Sequence, residues 1–238
     1  MKAIILAAGN GTRLHPLTDN WPKCLAPIQG RPLLQIWLEN CERAGIGEVL
    51  INVHAQAAQV RDFAAKQEGG VRIHIVEERE LLGSAGTLAA NRTFVTGESA
   101  FLVLYGDVLT NVNPAEVAAF HHGKNVLATL GTTRVPDPRR CGIVTVDENG
   151  IVCRFQEKPS YPSGNWAFSG IMAASPEVLE FIPGERPADI GSHLLPRLVG
   201  RMTALPLQGF VLDIGTPENY ALAQSLWRGL TEETCCAP

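Results

Sequence analysis

The feature that most constrains the fold is an alternation of short apolar runs with amphipathic segments through the first half of the chain. The run from Ala3 to Ala7 is apolar and is followed by Gly9, as expected of a buried parallel strand. Runs of similar character cover 48–53, 71–76 and 100–105, and segments with helical spacing separate them. This order predicts an α/β fold in three layers, with helices on both sides of a mostly parallel central sheet.

The second half has strand character in a less regular order. The sequence Asp147-Glu148-Asn149-Gly150 predicts a hairpin turn, because Asn-Gly readily adopts positive φ. We predict strands at 125–132, 142–146, 151–157 and 167–174, and helices at 176–181, 193–199 and 217–227. Since no long linker separates the halves, we predict one domain over residues 1–230 and a frayed tail over 231–238.

Composition excludes several classes of protein. The 238 residues are 45% hydrophobic and 18% charged, as in ordinary globular domains. The net charge of −4 provides no overall attraction to nucleic acid or to anionic membranes, so we expect neither as a partner. The early apolar run is too short for a signal peptide, and the six cysteines form no C-x-x-C pair. We therefore expect no zinc, reduced thiols and a cytoplasmic location.

A glycine-rich loop follows the first strand and has the sequence Gly9-Asn10-Gly11-Thr12-Arg13. Glycines let backbone amides approach a phosphate closely, and an arginine offers a guanidinium fork to its oxygens. Lys23 follows on a proline-rich stretch and would offset charge on a transferring phosphoryl group. The loop lacks a Walker Gly-Lys-Ser/Thr, and Leu14 replaces the third glycine of a dinucleotide fingerprint. A turn whose glycines serve only its conformation remains the alternative interpretation.

The run 4–13 followed by Pro22-Lys23 resembles the opening signature of sugar-1-phosphate nucleotidyltransferases, the NDP-sugar pyrophosphorylases. Within that family the compact form is most similar to small bacterial mannose-1-phosphate and D-glycero-D-manno-heptose-1-phosphate guanylyltransferases. The resemblance implies a Rossmann-like, GT-A-type sheet and a loop that wraps a triphosphate. It makes Arg13 the support of the leaving pyrophosphate and Lys23 a phosphate contact at the reacting centre. The nucleotide-binding residues that it implies in this first stretch are Ala7, Ala8, Gly9, Gly11, Thr12 and Arg13.

The resemblance continues in the middle of the chain. The segment 82–87 is similar to the one that frames the nucleoside base, which implies nucleotide contacts for Gly83, Ser84 and Gly86. Its likeness to the Gly-Thr-Ala-Gly segment of GDP-mannose-forming enzymes favours GTP. Gly106 and Asp107 end an apolar strand at the edge where such sheets bind ligands. The resemblance makes Gly106 a nucleotide contact and Asp107 a catalytic ligand of the metal.

Two further motifs complete the match, which reaches about residue 227. The pair Glu157-Lys158 resembles the acid that holds sugar hydroxyls and the lysine that grips the sugar phosphate, with Gly142 and Asn165 also in the implied sugar-phosphate site. Asp213 resembles the second metal-binding aspartate. Three positions depart from the usual pattern, namely Trp166, Ser169 and Val211.

The activity implied by the resemblance is the condensation of a sugar 1-phosphate with a nucleoside triphosphate, GTP favoured, to give an NDP-sugar and pyrophosphate. Mg²⁺ held by Asp107 and Asp213 would assist in-line attack on the α-phosphorus, with Arg13 and Lys23 as the other catalytic residues. No general base is needed, because the attacking phosphate is already ionised. The resemblance to this family also implies a homodimer.

Four alternatives stay open at this point. The triphosphate is UTP, dTTP or CTP in other members of the family. A related class transfers to phosphocholine, which needs an aromatic or acidic cage for its quaternary amine, whereas the pair Glu157-Lys158 favours a sugar phosphate. Glycosyltransferases share this kind of sheet but carry an Asp-x-Asp motif, which the sequence Asp107-Val108-Leu109 lacks. A catalytically inactive sensor of sugar nucleotides is the non-enzymatic alternative.

Overall fold

The structure, a computed structural model, describes residues 1–230. The strands within these residues are β1 Lys2–Leu6, β2 Pro27–Ile28, β3 Arg31–Pro32, β4 Glu48–Val53, β5 Arg72–Glu77, β6 Phe101–Tyr105, β7 Val108–Thr110, β8 Ala128–Arg134, β9 Gly142–Val146, β10 Val152–Glu157, β11 Trp166–Ala174, β12 Met202–Pro206 and β13 Val211–Asp213. The α-helices are α1 Leu33–Arg43, α2 Ala57–Ala64, α3 Ser84–Ala90, α4 Ala115–His121 and α5 Pro217–Leu226. The chain divides into two compact units, which are described separately.

One unit comprises 3–81, 105–114 and, within the described residues, 208–230. Its strands follow the order β1-β4-β5, and β4 and β5 pair in parallel from Glu48 beside Arg72 onward. β1 and β4 carry fully buried aliphatic side chains, and α1 buries Trp37. Burial of these apolar runs explains why they form strands and an amphipathic helix, as their periodicity predicts.

A short antiparallel ribbon in the same unit was not expected from the sequence. β13 pairs with β7 so that Asp213 lies opposite Val108, and the amide of Ile214 donates to the carbonyl of Asp107 at 3.0 Å. The two aspartates are 106 positions apart in the chain and are brought side by side by this pairing. Strands of three residues give too little periodicity for a sequence pattern to reveal them.

The other unit comprises 1–2, 82–104 and 115–207. Its strands follow the order β10-β9-β11-β6, and β8 lies against β11 and β12. The pairs of β11 with β6, β8 and β9 are antiparallel, whereas β8 and β12 are parallel. The predicted hairpin turn is present between β9 and β10, where the Asp147 amide donates to the Ile151 carbonyl at 2.8 Å and Gly150 has φ of 77°.

The region after residue 188 differs from the prediction. In place of a regular helix at 193–199, a single π-helical turn covers Ile190–Leu194 and a 3₁₀ turn covers Leu195–Leu198. Pro196 lacks an amide proton and prevents a continuous α-helix through this segment. Helix α4 and strand β12 were also not predicted.

These elements confirm the predicted α/β class. The one-domain interpretation of residues 1–230 remains a prediction, and the tail predicted at 231–238 lies outside the described residues. Through residue 230, every helix is too short or too polar to cross a bilayer.

Candidate active site

Four charged side chains converge around Gly215. Lys23 Nζ lies 2.5 Å from Asp107 Oδ2 and 3.8 Å from Asp213 Oδ1. A Cβ atom built on Gly215 would lie 2.7 Å from both Lys23 Nζ and Asp213 Oδ1, and 3.0 Å from Arg13 Nη2. Any residue larger than glycine would therefore displace these groups. We call Arg13, Lys23, Asp107 and Asp213 the Gly215 cluster.

The cluster is held by local backbone structure. Asp107 stands between β6 and β7, and Asp213 is the last residue of β13, the strand that pairs with β7. The Asp213 carboxylate accepts a hydrogen bond from the Gly215 amide at 2.6 Å. Lys23 begins a 3₁₀ turn directly after Pro22, and its side chain is only 10% exposed. A lysine so enclosed needs its two carboxylate partners, because an unpaired buried charge is costly.

The glycine-rich loop leads into the cluster through Arg13. Gly11 has φ of 64°, and a Cβ there would lie 2.8 Å from Thr18 Cγ2. The Thr18 hydroxyl donates to the Gly11 carbonyl at 3.0 Å and so fixes the loop from behind. Gly9 has open space around it, so crowding does not require a glycine there. Thr12 and Arg13 are exposed at the loop surface.

The electrostatics of the cluster suit a divalent cation. Partial burial, and then the neighbouring Asp107 carboxylate, raise the pKa of Asp213 above its usual value, while Lys23 and Arg13 oppose the shift. Two carboxylates that repel one another are the oxygen donors that Mg²⁺ prefers. Through residue 230 no group of three His, Cys, Asp or Glu side chains gathers to hold a metal, so Asp107 and Asp213 would supply two ligands and leave the remaining positions open.

Three of the predicted nucleotide-binding residues are already used by the fold. The Ala7 amide donates to Asn52 Oδ1 at 2.7 Å, and the Asn52 side-chain amide donates to Glu78 Oε1 at 2.8 Å. Ala8 is buried. The Gly106 amide donates to the Leu6 carbonyl at 2.9 Å, and a Cβ on Gly106 would lie equally close to that oxygen. The amides of Ala7 and Gly106 thus hold the strand edge in place, and nucleotide binding by these three residues remains a prediction.

The segment 82–87 starts helix α3 and is tied to a distant part of its own unit. Gly83 has φ of 76° and lies against the backbone of Ala188. The Ser84 amide and hydroxyl both donate to Asp189 Oδ1, at 3.1 and 3.3 Å, and the Ser84 oxygen accepts from the Ile190 amide at 2.7 Å. The Ser84 side chain is thus engaged within the protein.

Glu157 packs between two glycines, and its side chain is 28% exposed. A Cβ on Gly142 would lie 2.9 Å from Glu157 Oε2, and a Cβ on Gly191 would lie 2.7 Å from Glu157 Cδ. Partial burial, helped by the charge of Asp189 and opposed by Lys158, raises the pKa of Glu157 above its usual value. We call Glu157 with Gly142, Gly191 and Lys158 the Glu157 pocket.

The other two residues of the predicted sugar-phosphate site, Lys158 and Asn165, are both exposed to solvent. Lys158 adopts φ of 44° after the strand end, stands 3.7 Å from Glu157 Oε1 and is 68% exposed. Asn165 is exposed just before β11, and its backbone carbonyl accepts from the Val135 amide at 3.0 Å. The structure therefore brings Gly142, Glu157 and Lys158 together and leaves Asn165 exposed at the surface.

Sequence reasoning did not single out Asp189 and Gly191, which the structure places against the predicted site residues Ser84 and Glu157. Asp189 precedes the π-helical turn, where an aspartate is normally read as the cap of its own turn. Its carboxylate instead accepts from Ser84, 105 positions away. Gly191 carries no motif of its own, and only its packing on Glu157 reveals its part.

The sequence is similar to those of known proteins over nearly its whole length. The family described as "Nucleotidyl transferase" matches residues 2–228. The chain is 36% identical over 235 residues to mannose-1-phosphate guanylyltransferase catalytic subunit beta of Xenopus tropicalis, and 34% identical over 236 residues to mannose-1-phosphate guanylyltransferase 1 of Arabidopsis thaliana. Each match covers 95% of this chain, which spans 64% of the relative's length.

The fold is also shared with solved structures. HddC from Yersinia pseudotuberculosis, crystallised with GMP-PN, superposes with a TM-score of 0.79 at 24% identity, over 95% of this chain and 99% of that one. At this identity the likeness concerns the fold, and it confirms the α/β class.

Proposed function

Because this chain belongs to the nucleotidyl transferase family, we propose that it joins a sugar 1-phosphate to a nucleoside triphosphate and releases pyrophosphate. The observation that carries the proposal is the convergence of Arg13, Lys23, Asp107 and Asp213 around Gly215. Two cations and two carboxylates in one place suit a polyphosphate and its counter-ion. Direct in-line transfer between the two bound substrates needs no covalent intermediate on the protein.

The cationic side chains of the cluster act on the triphosphate. Lys23 is fixed by Asp107 before substrate arrives, so its ammonium needs little reorganisation to stabilise charge on the α-phosphoryl oxygens. Arg13 stands on the exposed loop, and its guanidinium fork suits the departing pyrophosphate. The attacking oxygen belongs to an ionised phosphate, so catalysis rests on alignment and charge, and no side chain has to remove a proton.

Asp107 and Asp213 would hold Mg²⁺. When bound, the ion supplies Lewis-acid stabilisation of phosphoryl oxygens. The two carboxylates keep Lys23 in place and are the oxygen donors that a divalent cation would use. A metal-free protein should retain this arrangement, since Lys23 already bridges the carboxylates.

The Glu157 pocket holds the sugar phosphate in this proposal. The Glu157 carboxylate accepts hydrogen bonds from sugar hydroxyls, and the two flanking residues have to be glycines for this carboxylate to fit between them. Lys158 is exposed and reaches a phosphate as a point charge. Asn165 remains a proposed contact that would have to turn inward.

We propose GTP and mannose 1-phosphate as the substrate pair. Support comes from the curated relatives, which are named as mannose-1-phosphate guanylyltransferases, and from the HddC structure with GMP-PN. UTP, dTTP and CTP are the competing triphosphates, and a heptose 1-phosphate is the competing sugar.

The test is pyrophosphate release across a matrix of nucleoside triphosphates and sugar 1-phosphates, with and without Mg²⁺. We expect the largest kcat/KM for GTP with mannose 1-phosphate and no turnover after chelation. Turnover only with another pair would replace the substrates and keep the reaction. No turnover by folded protein with any pair, heptose 1-phosphates included, would favour the inactive sensor.

The cytoplasmic location and the homodimer also belong to this proposal. Through residue 230 the cysteines Cys24, Cys41, Cys141 and Cys153 are free thiols, as in a reducing compartment. Cell fractionation tests the location, and sedimentation equilibrium tests the dimer, which would show twice the chain mass.

A further inference from the structure

Asp189 belongs to two neighbourhoods of one compact unit. On one side its Oδ1 accepts from the Ser84 amide at 3.1 Å and from the Ser84 hydroxyl at 3.3 Å. On the other side its charge acts on Glu157. The nucleotide segment 82–87 and the sugar acid Glu157 thus share one neighbour.

The contact with the nucleotide segment is made by side-chain and by backbone hydrogen bonds, which together we call the clamp. The Ser84 oxygen accepts from the Ile190 amide at 2.7 Å, so Ser84 is held in both directions. Backbone bonds flank it, from the Gly86 amide to the Ala188 carbonyl and from the Ala188 amide to the Leu82 carbonyl, each at 2.9 Å. Gly83, the residue before α3, has no side chain to cap that helix, so Asp189 caps it from outside.

The contact with Glu157 is made by the same turn of chain. Gly191, two residues after Asp189, packs on the Glu157 carboxyl group so closely that a Cβ would lie 2.7 Å from Cδ. The Asp189 amide donates to His193 Nδ1 at 2.9 Å, which closes the turn on itself. A shift of Asp189 therefore moves Gly191, and with it the wall of the Glu157 pocket.

We propose that Asp189 is a positioning residue that couples the nucleotide segment 82–87 to Glu157, so that nucleotide binding and sugar-phosphate binding favour each other. The inference rests on the proposed function for the identity of the two ligands. It assigns Asp189 no contact with substrate. Its effect passes through Ser84 on one side and through Gly191 on the other.

The first test compares three variants, Asp189→Ala, Ser84→Ala and the control Asp147→Ala. Asp147 is matched because its carboxylate likewise accepts two hydrogen bonds, here from the backbone amides of Asn149 and Ile151 at 2.9 Å, in a hairpin turn of the same unit. We expect Asp189→Ala to raise the KM for both substrates about tenfold with a smaller change in kcat, as for the loss of one charge-assisted hydrogen bond. Ser84→Ala should act in the same direction, and Asp147→Ala should leave both KM values unchanged.

The second test separates charge from geometry by Asp189→Asn, whose Oδ1 still accepts from Ser84. The charged neighbours acting on Glu157 are Lys158 and Asp189, so removing the Asp189 charge should move the acid limb of kcat/KM for the sugar phosphate to lower pH. In the Glu157→Gln background the same substitution should produce no such movement. If Asp189 had a purely structural role, Asp189→Asn would leave the acid limb of kcat/KM at the same pH.

Coupling itself is measured by calorimetry with a non-hydrolysable GTP analogue and mannose 1-phosphate. In the wild type each ligand should tighten the other, and in Asp189→Ala the enhancement should fall toward onefold. Equal enhancement in both proteins, or unchanged KM values in Asp189→Ala, overturns the proposal.

Hydrogen exchange of the Ser84 amide tests the role of Asp189 separately from the proposed function, because this measurement needs no enzymatic turnover. Faster exchange in Asp189→Ala than in Asp147→Ala supports the clamp even in a protein inactive with every substrate pair. Equal exchange in the two variants overturns it.

Discussion

The Gly215 cluster and the Glu157 pocket each contain a lysine beside a carboxylate, but they use the pair in opposite ways. Lys23 is 10% exposed and lies 2.5 Å from Asp107, with Asp213 as a second partner. Lys158 is 68% exposed and stands 3.7 Å from Glu157. The first lysine is locked among charges before any ligand arrives, whereas the second keeps most of its ammonium in solvent and is available to a ligand.

This difference indicates a division of labour. A fixed ammonium in a crowded cluster suits transition-state stabilisation, because its position costs nothing at the moment of reaction. A solvated ammonium at the mouth of a pocket suits capture of a phosphate, and it contributes to binding more than to turnover. Variants in the cluster should therefore change kcat, and variants in the pocket should change KM.

The largest effect is expected from Asp107→Asn. The amide keeps the shape but removes a metal ligand and the main partner of Lys23, so kcat should fall on the order of 10²–10³-fold. Steady-state pyrophosphate release measures the loss, and Asp62→Asn, an exposed aspartate on α2, is the matched control. Equal activity in the two variants would remove Asp107 from the catalytic machinery.

Lys158→Met should have a smaller effect of a different kind. Loss of one charge-assisted hydrogen bond should raise the KM for the sugar 1-phosphate about 10–100-fold and leave the KM for GTP unchanged. Lys66→Met, which removes an exposed lysine elsewhere, controls for charge. A fall in kcat with constant KM would contradict the contrast between the two lysines.

The acid dependence of sugar-phosphate binding should follow Glu157. Its pKa is raised, chiefly by burial, so the carboxylate takes up a proton at higher pH than an ordinary glutamate as the medium is acidified. Protonation removes the acceptor of sugar hydroxyls, so kcat/KM for the sugar phosphate should decline below that raised pKa. A profile from pH 5 to 8 checks this, and Glu157→Gln should be weaker overall but flat where the wild type declines.

The smallest effect on turnover is expected at His121, which belongs to neither region. Its ring nitrogens lie 3.0 Å from Thr129 Oγ1 and 3.2 Å from Ser175 Oγ, and burial, then His122, lower its pKa. The unfolded chain therefore binds a proton that the folded protein does not. The free energy of folding that depends on neutral His121 is fully present above the ordinary histidine pKa of about 6.5, and it is lost as the pH falls through the lowered pKa of the folded protein.

His121→Gln tests this by denaturant unfolding at pH 7.5 and 5.5. The variant should lose about 1–2 kcal/mol at pH 7.5 from weakened hydrogen bonds, and its stability should vary less between the two pH values. Its kcat and KM should match those of the wild type. A changed kcat would mean that stability and catalysis are not separable here, and would weaken the conclusions from the other variants.

Much of the fold could be predicted because its signals are local. The bounds Glu48–Val53 and Gly142–Val146 agree with the prediction, since alternating or continuous apolar runs report burial directly. The failures have equally local causes. The three-residue strands β7 and β13 are too short to show a period, and Pro196 divides a segment whose apolar spacing looks helical.

The candidate site divides in the same way. Its motif residues Arg13, Lys23, Asp107, Glu157, Lys158 and Asp213 could be named from the sequence, because phosphate and metal chemistry requires those side chains. Their catalytic and binding roles remain predictions until the variants are measured. The hydrogen bond from the Ala7 amide to Asn52, 45 positions away, could not be predicted, because it depends on how two distant strands pack.

The sequence by itself determined the α/β class and the family to which the chain belongs, since these depend on local periodicity and on the order of short motifs along the chain. Only the tertiary structure decided that Arg13, Lys23 and Asp213 come together at Gly215, with Asp107 beside Lys23, and that Asp189 caps a helix 105 positions earlier. Such contacts depend on strand pairing and on the course of turns far apart in the chain. Their distances arise from packing of the whole unit, which no local pattern encodes.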